Sequence, residues 1–131
     1  MEYINPEGLP SNSAFRQAVT TEGKGTTIYI GGQDAVNEMG EIVGKGELAK
    51  QTEKVIINIK TALSACGATF DNLLELTFYM VEDQYIKRSI KISQEFFGHM
   101  TSPPVVSVLL VSGLAHPDFP VEIEGTAFIP G

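Results

Sequence analysis

The sequence contains no tryptophan, one cysteine, two histidines and only nine basic residues among 131. A lone thiol, Cys66, excludes an internal disulfide, and it lies far from both histidines in sequence, without the ligand spacing of a zinc or non-haem iron site. We therefore expect no metal and a reducing, cytoplasmic environment. Because free cysteine behaves as a small hydrophobic residue, we expect Cys66 to pack at a helix end.

The shortage of basic residues also restricts the partners of this protein. Its net charge is −7, and the lysines and arginines are scattered along the chain. Proteins that bind nucleic acids usually present a basic face, so this balance disfavours a nucleic-acid partner. No apolar run approaches 18 residues, and the first ten residues, MEYINPEGLP, lack the order of a signal peptide. We expect no membrane association.

Two amphipathic helices are predicted in a single domain that covers residues 1–131. Apolar and small residues recur at three- and four-residue steps from Glu47 to Cys66, and Gly67 supplies a stop. A second helix is expected from Asp83, as its cap, to about Phe97, with Gly98 as the stop. Its inward residues are predicted to be Ile86, Ile90, Phe96 and Phe97.

Strand-like segments alternate with these helices and predict an α+β fold. The first two, 18–21 and 26–30, flank a Gly- and Lys-containing turn and are predicted to form a hairpin. The order strand, helix, strand, helix, strand, strand includes a crossover of the split βαβ kind. We expect a mixed sheet of about six strands with both helices on one face. The later predicted strands are residues 73–81, 105–112 and 121–129.

The segment Val105–Val111 is apolar on both alternating sets of positions except at Ser107. A strand with one solvated face alternates apolar and polar residues, so this run predicts burial on both faces. Two helices can cover only one face of the sheet. Another copy of the chain would then cover the second face, and the alternative is a monomer whose loops cover it.

Four features are candidates for a binding or catalytic site, and each also has a purely structural interpretation. Gly31-Gly32, followed by Gln33, either exposes backbone N–H groups to a ligand or forms a bulge. The Ser107 hydroxyl either contacts a ligand or is satisfied within the fold. Glu122 either holds a water as general base or faces solvent. Arg16 either binds a substrate carboxylate or is an ordinary surface residue.

Taken in order, several segments resemble the Rid family, also known as YjgF/RidA and RutC-like, across essentially the whole chain. They are Phe15-Arg16-Gln17-Ala18-Val19, Ile28-Tyr29-Ile30-Gly31-Gly32-Gln33, Gly40-Glu41-Ile42-Val43, residues 51–60, residues 65–71, residues 76–80 and Val121-Glu122-Ile123-Glu124-Gly125. The resemblance implies a chorismate-mutase-like fold and a homotrimer whose sheets form a central barrel. It also implies small-molecule clefts between subunits and hydrolysis of reactive enamines or imines to keto acids and ammonia without a cofactor.

The sequence departs from the family pattern where the family binds the substrate carboxylate. That arginine lies in a Pro-x-Arg-Ser stretch, and here the stretch is Pro104-Val105-Val106-Ser107, so Val106 replaces the arginine. Phe15 and Gly31 replace a tyrosine and a serine or threonine, whereas Glu122 matches the water-positioning glutamate. The chain thus resembles an arginine-lacking branch of the family. Three functions remain open: a deaminase-type hydrolase, a protein that binds a small carboxylate, imine or other metabolite without catalysis, and, disfavoured by the charge, an endoribonuclease.

Overall fold

The computed structural model describes the backbone of residues 1–131 and the side chains of residues 1–82 and 86–131. Over this backbone the chain forms two α-helices, α1 (Leu48–Ala65) and α2 (Asp83–Phe97), and a short 3₁₀ helix (Phe70–Asn72). The strands are β1 (Glu2–Ile4), β2 (Ala18–Thr20), β3 (Gly25–Gln33), β4 (Leu73–Met80), β5 (Val105–Leu110) and β6 (Val121–Pro130).

The strands form a four-stranded sheet and a two-stranded ribbon. The sheet has the order β3-β6-β4-β5, in which β4 and β5 are parallel and the other pairs antiparallel. The ribbon pairs β1 with β2. It joins the edge of the sheet where Arg16 bridges Val105, through a bond of 3.1 Å from the Arg16 N–H to the Pro104 carbonyl. The α+β class and the two helices are confirmed, with the six strands divided between these two sheets.

The predicted hairpin between β2 and β3 is wrong. β2 pairs with β1, whereas β3 pairs with β6 along most of its nine residues. The chain bends at residues 23 and 24, with Gly23 at a φ of 81°, but a turn signal does not determine which strands pair. The long ladder with β6 also places Ile28 and Ile30 in the core, which a pairing with the three-residue β2 does not.

Helix α1 buries one continuous stripe, as its periodicity predicts. The buried residues are Leu48, Gln51, Thr52, Val55, Ile56, Ile59 and Leu63. Gly67 ends the helix at a φ of 77°, with Ala68 N–H bonded to the Leu63 carbonyl and Gly67 N–H to that of Ser64. The packing role expected for Cys66 is wrong, because this residue occupies the C-cap with its side chain exposed.

Helix α2 packs against α1 through small polar residues as well as apolar ones. Ser89 and Ser93 are buried together with Phe97, and the Ser89 hydroxyl lies 3.2 Å from that of Thr52. Ile86 and Phe96 are partly buried against the core, in agreement with the predicted inward face. The proposed capping by the Asp83 side chain lies outside the described residues.

Both helices lie on one face of the four-stranded sheet, which agrees with the prediction. On this face Ile28, Ile30, Leu76, Phe78 and Ile123 form the centre of the core. The opposite face carries no helix. The residues that the strand register places on it include Tyr29, Thr77, Tyr79, Ser107, Leu109, Glu122 and Glu124. We call it the open face.

Strand β5 is the last strand of the sheet, so the predicted burial on both faces is not found within one chain. Leu109 and Leu110 are 43% and 58% exposed, and Ser107 is exposed rather than buried. An edge strand has no neighbour beyond it to exclude water. Loops do not cover the open face either, so the monomeric alternative leaves the apolar run of β5 exposed.

Candidate functional site

The Gly31-Gly32 pair forms a β-bulge, which confirms the structural interpretation of the two glycines. Ile30 pairs with Gly125 and Gln33 with Ile123, so two residues of β3 oppose the single residue Glu124 of β6. The Gln33 side chain donates to the Gly31 carbonyl at 3.0 Å and bridges the bulge. The extra residue brings the backbone of β3 close to the Glu122 side chain on β6.

Glu122 lies directly against the backbone of Gly32. A β-carbon placed on Gly32 would lie 2.6 Å from the Glu122 Oε2 atom, much closer than side-chain carbons approach carboxylate oxygens. Only glycine allows this approach. The bulge and the glutamate therefore form one unit, and Glu122 is half-buried instead of extending into solvent.

Asp34, which is not among the site residues predicted from the sequence, completes this unit. Burial raises the pKa of Asp34 to about 7, and a hydrogen bond to Glu122 and the charge of that residue act in the same direction. Two carboxyl groups form such a bond only when one of them holds a proton. The Asp34 Oδ1 atom is buried without a hydrogen-bond partner. With its pKa at about 7, the Asp34 carboxyl is about half protonated near neutral pH.

Asn58 of α1 fixes the backbone that carries Asp34. Its side-chain amide donates to the carbonyl groups of Asp34 and Val36, at 3.0 Å each. The signal that could have selected Asp34 is its position, because a carboxyl group that follows a glycine bulge is held close to the neighbouring strand. We call Gly31, Gly32, Gln33, Asp34 and Glu122 the bulge cluster.

The other predicted site residues lie at the opposite edge of the sheet, around β5. Phe15 and Val106 line one cavity of about 310 Å³ between the sheet, α2 and residues 12–15. The Arg16 guanidinium donates to the Thr101 carbonyl at 3.2 Å, so it is attached to the loop before β5. Ser107 lies beside Thr77 on the open face. We call Phe15, Arg16, Val106 and Ser107 the edge cluster.

One chain does not bring the two clusters together. Val106 pairs with Leu76 on the helix-covered face, whereas Glu122 pairs with Tyr79 on the open face. β4 also lies between β5 and β6, which separates the latter two strands by about 10 Å. Glu122 and Val106 can therefore contact the same small molecule only if they come from different copies of the chain.

The open face beside the bulge cluster is polar and internally bonded. The Tyr79 hydroxyl donates to Glu124 at 2.5 Å, and this bond raises the tyrosine pKa. The Thr126 hydroxyl donates to Glu75 at 3.1 Å. These two hydrogen bonds give hydroxyl donors to Glu124 and Glu75, which are two of the three glutamates on this face. Among the described side chains, no group of three or more histidine, cysteine or carboxylate residues is arranged to hold a metal ion.

Comparisons with known proteins agree with this fold. Residues 7–129 match the family described as Endoribonuclease L-PSP. A RutC family protein of Pyrococcus abyssi is 33% identical over 129 residues, covering 97% of this chain and 96% of its own. A second, from Pyrococcus horikoshii, is 32% identical over 129 residues and 97% of each chain.

A solved structure gives the same result at the level of the fold. The Yersinia pestis protein YyfB, described as a protein of unknown function of the conserved Rid family, superimposes with a TM-score of 0.87. It is 32% identical, and the match covers 98% of both chains. None of the helices in the described part of this chain is long and apolar enough to cross a membrane. The chain therefore belongs to the Endoribonuclease L-PSP family, whose members also carry the names Rid and RutC.

Proposed function

We propose that this protein is a homotrimer that hydrolyses small, reactive imines or enamines in clefts between its subunits. The observation that carries this proposal is the bulge cluster, in which Glu122 is held against Gly32 and hydrogen-bonds to the Asp34 carboxyl, whose pKa is raised to about 7. A carboxyl group that is about half protonated near pH 7, beside a second carboxyl group, makes both an acid and a base available for hydrolysis.

The arrangement of the two clusters supports the trimer. Glu122 of the bulge cluster and Val106 of the edge cluster lie on different strands and on opposite faces of one sheet. β5 also leaves Leu109 and Leu110 largely exposed, and adjoining apolar residues of this kind mark interfaces. A neighbouring copy that covers the open face and the β5 edge places its edge cluster beside the bulge cluster.

The proposed reaction needs only water and one proton relay. Glu122 accepts a proton from a water molecule while the water oxygen bonds to the C=N carbon, and the protonated Asp34 carboxyl gives its proton to the nitrogen. Transfer of the new proton from Glu122 to Asp34 then resets the pair. In the collapse of the tetrahedral carbinolamine, the hydroxyl proton passes to Glu122, Asp34 protonates the departing nitrogen and the C–N bond breaks. Ammonia and a carbonyl product leave, and a second transfer from Glu122 to Asp34 returns the pair to its original state.

Val106 determines which substrates this machinery accepts. A valine cannot neutralise a carboxylate, and the charge-assisted contact of an arginine is typically worth about 1.5–3 kcal/mol. Arg16 already bonds to the Thr101 carbonyl and would have to leave it to bind a carboxylate of the substrate. We expect the wild-type protein to release little more keto acid from 2-aminoacrylate than buffer does.

A gain-of-function series tests the proposal. We expect Val106→Arg to raise ammonia release from freshly generated 2-aminoacrylate at least tenfold above the wild type. Adding Glu122→Gln to that variant should lower the rate about 100-fold, the usual contribution of a general base, because glutamine cannot accept the proton. The measurement is coupled detection of ammonia and of the keto acid on the same samples.

A matched control distinguishes the effect of an added positive charge from the effect of placing that charge at residue 106. Ile57→Arg adds the same charge to an exposed apolar position on α1, away from both clusters, and should leave the rate at the wild-type level. The proposal fails if Val106→Arg is no faster than Ile57→Arg. It also fails if Val106→Arg retains its rate when Glu122 becomes glutamine.

The second candidate function is the binding of a small metabolite without turnover. It is favoured by the cavity beside Val106, whose lining is mostly apolar and provides no catalytic group. A thermal-shift screen of small amides, amines and carboxylates tests this, because a ligand that binds only the folded protein raises the melting temperature. The net charge of −7 argues against RNA as the ligand.

A further inference from the structure

The cavity beside Val106 is a partly open cleft lined mainly by hydrocarbon. Strands β4 and β5, helix α2 and the segment before β2 form its walls. The main apolar residues of this lining are Phe15, Leu76, Phe78, Ile90, Phe97 and Val106. Among the described residues that line it, none carries a formal charge.

The polar residues of the lining do not offer free groups at the base of the cavity. The Ser93 hydroxyl is buried and donates to the Ser89 carbonyl of its own helix at 2.7 Å. The Asn12 side-chain oxygen accepts from the Ala14 N–H at 2.7 Å. Asn12 and Gln94 are exposed residues at the rim. A ligand group inside this space meets carbon atoms on most sides.

The size of the space also limits what can occupy it. An apolar cavity of roughly 150 Å³ is sufficient for a benzene molecule. This one has about 310 Å³, enough for a substituted ring or a branched chain. A carboxylate in the same place would lose hydration without gaining a cation, which is unfavourable.

We propose that this cavity binds the uncharged aromatic or branched aliphatic part of a small molecule. The inference concerns the substituent of the substrate and rests on the proposed function only for its link to catalysis. The side chain that replaces the family arginine thus forms part of an apolar binding surface, and the protein selects neutral over anionic ligands.

A pair of probes with the same shape and different charge tests this. We expect 4-fluorobenzamide to bind the wild-type protein at least ten times more tightly than 4-fluorobenzoate, as measured by ¹⁹F NMR line broadening on titration. Val106→Arg should reverse this order, because the new guanidinium pairs with the carboxylate. Ile57→Arg serves as the control and should preserve the wild-type order.

A second variant keeps the test decisive if the arginine variant does not fold. Val106→Phe fills the cavity without adding charge, and Val106 is only half-buried, so the edge strand should accept it. It should weaken fluorobenzamide binding at least tenfold. The inference is overturned if wild-type protein binds the benzoate as tightly as the benzamide, or if Val106→Phe leaves benzamide affinity unchanged.

The outcome is independent of the hydrolase proposal. Binding of the neutral probe without any Glu122-dependent hydrolysis would support the proposed ligand site and reject the hydrolase proposal. Glu122-dependent hydrolysis with no preference for the neutral probe would reject the proposed ligand preference of the cavity and would not contradict the hydrolase proposal.

Discussion

Among the residues whose side chains the structure describes, Asp34 is the one whose pKa is most changed by the fold. Its pKa of about 7 arises first from burial and then from the hydrogen bond and charge of Glu122. Between pH 4 and pH 7 the folded chain therefore holds a proton that the unfolded chain has released. The unfolded state binds fewer protons in this window, so the free energy of unfolding falls as the pH rises.

Asp34→Asn should reduce this pH dependence. An asparagine cannot titrate, and its amide can donate to the Glu122 carboxylate in place of the shared proton. We expect the urea midpoint of the variant to change less than that of the wild type between pH 4.5 and 7.5, at fixed protein concentration. Glu38→Gln, which removes an exposed carboxyl from the following turn, is the matched control. Equal slopes for wild type and Asp34→Asn would refute the shared proton.

At the scale of an element, the bulge in β3 is the feature that positions Glu122. The two glycines differ sharply in what a side chain would meet there. A β-carbon on Gly32 would overlap the Glu122 carboxylate, whereas one on Gly31 would have no atom within 4 Å. Neither glycine has a positive φ, so the difference is one of space alone.

Gly32→Ala should therefore damage the site while Gly31→Ala should not. We expect Gly32→Ala to displace the Glu122 carboxylate with little change in stability, because the new methyl group meets only the end of that flexible side chain. In the Val106→Arg background it should lower ammonia release from 2-aminoacrylate at least tenfold. Gly31→Ala in the same background should stay within about twofold. A result in which both alanines have the same effect would contradict the close packing of Gly32 and Glu122.

The helix boundaries and buried residues show which features a local sequence pattern can predict. The three-residue and four-residue periodicity of α1 and the stop at Gly67 predicted that helix to within one residue at each end. The same reasoning missed Ser89 and Ser93 on the buried face of α2, because small hydroxyl residues can be buried when their groups bond to a neighbouring helix or to their own.

At the scale of the whole molecule, the edge strand β5 and the open face require a partner. Leu109 lies on the open face of β5 and is 43% exposed in the single chain. The polar groups nearby are already bonded, through Tyr79 with Glu124 and Thr126 with Glu75. Another copy can thus cover this face without leaving those carboxylates unpaired.

Leu109→Lys should weaken the assembly. We expect sedimentation equilibrium to show a trimer for the wild type at micromolar concentration and an association constant at least tenfold lower for the variant. The reason is that a lysine placed at an apolar interface must be dehydrated. Ile57→Lys, at a residue 40% exposed on α1, should remain trimeric. A stable wild-type monomer at this concentration would remove the basis for clefts between subunits.

The sequence by itself determined the helices, the α+β class, the family and the position at which the family arginine is missing. These depend on residue spacing and on segments whose order can be read along the chain. Sequence also placed Glu122 and Glu124 on one face of β6, since successive strand residues alternate.

Only the tertiary structure decided which strands pair, which face each candidate residue occupies and which groups meet. It separated Val106 from Glu122 across the sheet, rejected the β2–β3 hairpin and brought Asp34 to Glu122. The physical reason is that strand pairing and register result from competition among segments far apart in sequence. Asp34 and Glu122 are 88 positions apart, and no local pattern records the bulge that joins them.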